Sequence, residues 1–135
     1  MRYSPYAEEV TAIATMKEYQ LLEYFLTRVF ETEEVWGLSD GCDWIIVEKN
    51  NQVVMPVWPY QQFAQQAVTG KFADFTTEAE SLEEFIDQTI AMLIDEDAML
   101  EIMPGRNGPS CLITPHRLYD ILTGMIDAGE YRMDG

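Results

Sequence analysis

Basic residues are scarce: eight Lys and Arg stand against 24 Asp and Glu, giving a formal net charge of −16 over 135 residues. Nucleic-acid backbones are bound by Lys and Arg that neutralise phosphates, and anionic lipid surfaces attract the same cations. Neither nucleic acid nor a membrane surface is therefore an expected partner. Cysteine is nearly absent. Cys42 and Cys111 are far apart and in no paired motif, which suits a reducing cytoplasm, with one bridge between them left open. Histidine occurs once, as His116, and two cysteines with one histidine cannot supply the four ligands of a structural zinc site. No run approaches the roughly 18 apolar residues of a membrane span. The first residues meet Glu8 and Glu9 before any continuous apolar stretch, unlike a secretory signal. A cytoplasmic protein without cofactor or metal is the expectation.

What is present suffices for a core. An apolar fraction of 47% and an aromatic fraction of 12% argue against disorder, and the length fits one domain. That domain spans residues 1–135, with an N-terminal arm over 1–14 and a loose tail over 128–135.

Hydrophobic periodicity orders the elements. Leu22, Phe25, Leu26, Val29 and Phe30 recur at the spacing of one buried helical face, predicting a helix from Met16 to Phe30. Three strands are predicted next, at Val35–Leu38, Trp44–Glu48 and Val53–Trp58, separated by turn residues. Pro56 lacks an N–H, so the third run is read as an edge strand, bulged, or ended early. Pro59 suits the first turn of a helix over Tyr60–Val68, with Gly70 as its stop. Ser81-Leu-Glu-Glu84 is a capping box opening a helix whose buried stripe is Leu82, Phe85, Ile86, Ile90 and Leu93. Strands at Met99–Met103 and Cys111–Thr114 follow, then a helix capped at Thr114-Pro115 and carrying Leu118, Ile121, Leu122 and Met125. The order α-βββ-α-α-ββ-α predicts an α+β fold, with one largely antiparallel sheet of about five strands and helices packed on it.

Few constellations carry chemistry. Ser110 or Cys111 with His116 is the one nucleophile–base arrangement available, but Thr114-Pro115 accounts for that stretch as a helix start, and no third orienting group is evident. The acid groups Asp40/Asp43 and Asp95/Glu96/Asp97 lack the alternating ligand loop of a calcium site. Gly105-Arg-Asn-Gly108 lacks the Lys and helix of a phosphate loop. No catalytic residue is assigned.

Two features have functional readings. From Phe72 to Gly105 there are ten acids and no Lys or Arg. At 100° per residue Glu80, Glu83, Glu84 and Asp87 align opposite the apolar stripe, followed by Asp95, Glu96 and Asp97. A solvated helix face accounts for them, as does a docking surface for a basic protein. The second feature is tryptophan: Trp36, Trp44 and Trp58 all fall in strands. Core packing is the plain account; a ligand cleft formed by Trp36, Trp58, Asp40 and Asp43 is the functional one.

The series Tyr24-Phe-Leu26, Glu34-Val-Trp-Gly-Leu38, Trp44, Pro56-Val-Trp-Pro59, Ala64, Gly70-Lys-Phe72 and Ser81-Leu-Glu-Glu-Phe85 resembles an uncharacterised family of small bacterial proteins, a domain of unknown function, over about residues 15–125. Phe72 stands where that pattern has a tryptophan. The resemblance implies a compact domain of bacterial origin and no activity. Three functions remain: a non-enzymatic, regulatory or immunity-like module docking a basic partner; a small-ligand binder or hydrolase-type enzyme with a cleft near Trp58; and a structural homo-oligomer. The expected assembly is a monomer or a homodimer.

Overall fold

The computed structural model describes residues 7–13, 15–104 and 110–127, with the side chains of all of these except Val10, Lys49 and Lys71. The expected tail from 128, the loop over 105–109 and the first six residues of the expected arm lie outside them. The fold is α+β, as its periodicities predict, but its strands are arranged differently. Among the described residues there are six, in two sheets: β1 (Glu34–Ser39) pairs with β4 (Thr76–Ser81), and β2 (Val47–Lys49), β3 (Gln52–Val57), β5 (Met99–Ile102) and β6 (Cys111–Ile113) pair in the order β2-β3-β5-β6. Three of these pairings are antiparallel, and β3–β5 is parallel. The sheets meet where Trp36 and Trp58 exchange two backbone hydrogen bonds of 2.9 Å each.

Helix α1 (Ala7–Ile13) occupies part of the expected arm. Its Glu9 lies 2.9 Å from Nε of Arg28 on α2 (Glu18–Thr32), and the Arg28 guanidinium sits 5.3 Å from the centroid of the Tyr24 ring. Helix α2 buries Leu21, Phe25 and Val29, and closes at Glu33, whose left-handed φ of 60° lets its N–H reach Val29 O. Alternation along β3 explains Pro56. Residues 52, 54, 56 and 58 direct their backbone groups to one side; β2 ends opposite Val54 and β1 is met only at Trp58. The missing N–H therefore falls in the gap between two partners, and a proline sits inside a central strand without losing a ladder bond.

The Val-Trp-Gly-Leu and Val-Trp-Pro runs are structural. Val35, Leu38, Val57 and Trp58 are buried, and the Trp58 indole N–H donates to Pro104 O at 3.0 Å. Gly37 gives room to Trp44: a Cβ at Gly37 would lie 2.6 to 2.9 Å from three atoms of the Trp44 ring. After β1, the 40–43 turn returns the chain so that Ile45 N–H reaches Leu38 O at 2.7 Å, which brings the indole across β1. The expected strand over Trp44–Glu48 is thus a single bridge at Trp44 followed by the short β2.

Helix α3 (Gln61–Gln66) and a 3-10 turn (Gly70–Phe72) lead into β4. A continuous helix follows: α4 (Leu82–Glu84), a π-helical turn (Phe85–Thr89) and α5 (Ile90–Asp95). Ser81 caps it as its sequence predicts, accepting from Glu84 N–H at 3.1 Å. After β6, Thr114 caps α6 (Pro115–Asp127) by accepting from Arg117 N–H at 3.2 Å. One apolar cluster runs through these elements, built from α2, β1, β3, β5, the α4–α5 helix and α6. Among the described residues no helix is long and apolar enough to cross a membrane.

Candidate functional site

A cleft of about 560 Å³ lies between the two sheets, on the side covered by the α4–α5 helix. Four chain segments meet there. The turn after β1 brings Asp43 and Trp44. Ile46 follows on the same segment just before β2, and β3 supplies Met55. Strand β4 supplies Glu78 and Glu80, and the helix supplies Thr89, Met92 and Glu96. Alternation puts Glu78 and Glu80 on one face of β4. The π turn carries Thr89, whose hydroxyl donates a short hydrogen bond to Glu80 Oε1. Such one-turn π segments recur at functional sites.

The walls differ chemically. Trp44, Ile46, Met55 and Met92 are apolar, while Asp43, Glu78, Glu80 and Glu96 are acidic, and no Lys or Arg lines the cleft among the described residues. Burial pushes the Glu80 carboxyl above its ordinary range. The Thr89 hydrogen bond opposes that rise, and repulsion from Glu84 and Glu78 adds to it. An anion would meet four carboxylates here; a cation would be met by them.

The structure places the expected site residues as follows. Trp58 is 1% exposed and belongs to the core, and Trp36 is partly buried beside it, so neither lines the cleft. Asp40 is engaged in its own turn: its Oδ1 accepts from Cys42 N–H and Asp43 N–H, each at 3.0 Å, and these bonds hold its carboxyl below the ordinary range. Of that expected set only Asp43 reaches the cleft, and Trp44 takes the place expected of Trp58.

The acidic segment also divides. Glu80 is on a strand, not on the helix face, because Ser81 is the cap and everything before it is extended. Glu83, Glu84 and Asp87 are exposed on the helix. Asp95 and Glu96 end it, and Asp97 turns the chain with φ of 54°. Glu80 and Glu96 face the cleft, whereas Asp87 faces the far side of the same helix.

Sequence reasoning missed Glu78, Thr89, Met55 and Met92 as cleft residues. Two signals pointed their way. An isolated Gly in a strand marks close approach of another group, and Glu-x-Glu in an extended run places two acids on one face.

Ser110, Cys111 and His116 each have their own surroundings. Ser110 donates to Glu101 Oε2 at 2.6 Å, Cys111 is buried with its thiol pushed up by that burial, and His116 is exposed on α6. Cys42 and Cys111 are both free thiols. Among the described residues no three His, Cys, Asp or Glu side chains are grouped to hold a metal ion.

Fold and cleft together define the class: an α+β chain of two linked sheets with an acid-walled, tryptophan-floored cleft under a π-bulged helix. The chain belongs to the family described as "Protein of unknown function (DUF2750)", whose model matches residues 22–122 and so takes in every residue of the cleft. No curated protein matches the chain.

Proposed function

We propose that this chain is a non-enzymatic binding module whose cleft receives a cationic side chain, Lys or Arg, from a basic partner protein. The carrying observation is the composition of the cleft wall: four carboxylates share it with Trp44 and two methionines, and no described Lys or Arg lines it. A cation over an indole gains about 0.5–1 kcal/mol at an exposed site. Each partly exposed ion pair adds about 0.2–1 kcal/mol. The alkyl stem of Lys or Arg has Ile46, Met55 and Met92 to lie against. The net charge of −16 would speed encounter with a basic protein and make it salt-sensitive. Two free thiols support a reducing cytoplasm as the setting.

The test compares two variants of equal charge. Glu78→Gln/Glu96→Gln removes charge from the cleft, and Glu8→Gln/Glu48→Gln removes the same charge elsewhere. Binding of oligolysine and oligoarginine peptides is followed by calorimetry at low and physiological salt. From two lost ion pairs, the cleft variant should bind roughly tenfold more weakly, and the control variant far less so. Equal losses in both would mean that overall charge, not the cleft, holds the peptide. Free lysine amide binding as tightly as the peptides would instead favour a small-ligand site.

A further inference from the structure

Strand β4 has one side open. Its ladder with β1 runs over six residue pairs without a bulge, and among the described residues β1 is the only strand it pairs with. The flanking hydrogen bonds fix which way its backbone groups point. Leu82 N–H donates to Glu33 O at 2.9 Å, so Glu80, Glu78 and Thr76, at every second position from there, turn their backbone groups to β1. From the other strand, Trp36 exchanges both of its bonds with Trp58 and has none for Ala79 opposite it. Thr77 and Ala79 therefore present N–H and C=O outward, and among the described residues no backbone group meets them. The side chains alternate as well. Glu78 and Glu80 face the cleft, while Thr77 lies on the opposite face, where its hydroxyl accepts from Gln61 Nε2 of α3 at 3.2 Å.

We infer that the partner's cation arrives on an extended basic segment that adds to β4 as a new edge strand, an inference that rests on the reading of the cleft as a cation site. Main-chain bonds to Thr77 and Ala79 hold such a segment, and its alternate side chains give selectivity. In an antiparallel register, the residues opposite Glu78 and Glu80 form the pairs without mutual hydrogen bonds, in which side chains approach most closely. Opposite charges at such pairs stabilise the strand, so Lys or Arg at every second position fits. Soluble proteins commonly blunt an exposed edge with Lys, Pro, a bulge or a short strand. Strand β4 has six residues and none of the first three devices. The other open edges, β2 and β6, have three residues each. What β4 carries instead is Glu78 and Glu80, and a second copy pairing through the same edge would set carboxylate against carboxylate. The edge thus disfavours its own kind and admits a basic strand.

The probe is a blocked octapeptide of alternating Lys and Thr, added to the intact isotope-labelled chain. It is compared with a peptide of alternating Glu and Thr, and with the Lys peptide N-methylated at each Thr. Methylation keeps every charge and removes the N–H donors that would face β4. In the free protein the amide protons of Thr77 and Ala79 should exchange readily, while the β1 ladder protects those of Glu78 and Glu80. With the Lys peptide bound, all four should be protected. Methylation should weaken binding about tenfold, and so should Ala79→Pro, which removes an outward N–H and no ladder bond. The Glu peptide should not bind. Equal binding of methylated and unmethylated peptides, with Glu78→Gln/Glu96→Gln weakening both, would overturn the added strand and leave the cleft reading standing. Equal binding that ignores Glu78→Gln/Glu96→Gln, or no binding by either Lys peptide, would overturn both. Protection of Thr77 and Ala79 in the free chain, or a dimer in sedimentation that Ala79→Pro dissociates, would mean an edge already occupied and would overturn the inference.

Discussion

The contact between Gly37 and Trp44 makes a prediction that changes sign with context. Gly37→Ala places a Cβ 2.6 Å from a rigid ring, so the indole must retreat by about 0.8 Å to reach ordinary contact at 3.4 Å. Overpacking of this kind costs about 1–3 kcal/mol. The backbone at Gly37 lies outside the left-handed region, so the alanine also gains about 0.4–1 kcal/mol by restricting the unfolded chain. The net expectation in the wild-type background is a loss of about 1–2 kcal/mol. In a Trp44→Ala background the ring is gone and only the second effect survives, so the same substitution becomes neutral or stabilising. Trp44 is partly buried, and its own removal should cost less than the roughly 3–5 kcal/mol of a core tryptophan. Urea unfolding of the four proteins followed by far-ultraviolet circular dichroism reads the cycle without relying on the deleted fluorophore. Equal destabilisation by Gly37→Ala in both backgrounds would refute the close-approach account of the Val-Trp-Gly-Leu run.

Two further outcomes follow from groups in the structure. Glu80 holds its proton to a higher pH when folded than when unfolded, so its contribution to stability is present at low pH and lost as pH rises from the ordinary carboxylate range through the raised value. Glu80→Gln keeps an acceptor for Thr89 and should raise the melting temperature at pH 7 but not at pH 4; in the proposed cleft it should also flatten the rise in cation affinity with pH. No gain at pH 7 would refute this assignment. Thiol titration should give one fast equivalent in the native protein, from exposed Cys42, and two in denaturant, since Cys111 is buried. Two fast native equivalents would contradict the packing of β6.

Much of the chain was legible from local chemistry. Apolar residues three and four apart located α2, the α4–α5 helix and α6, because a helix reports its buried face within a dozen residues. Ser81 and Thr114 announced two helix starts through side chains that act within three residues. Strand β4 was not legible. Thr76-Thr-Glu-Ala-Glu-Ser81 has no apolar alternation, and it is a strand because its backbone pairs with β1, about forty residues earlier. The parallel pairing of β3 with β5 was hidden for the same reason: the connection between them carries β4 and the whole α4–α5 helix, and nothing local fixes its direction.

By itself, then, the sequence determined an α+β class, an excess of negative charge, and the helices with their caps; that Val35, Leu38 and Trp58 are core came from the structure. Tertiary structure alone decided which tryptophan lines the cleft and which acids share it. Trp44, Glu80 and Glu96 share a cleft because a turn, a strand and a π-bulged helix converge there. That convergence depends on contacts between distant segments, and local periodicity carries no record of them.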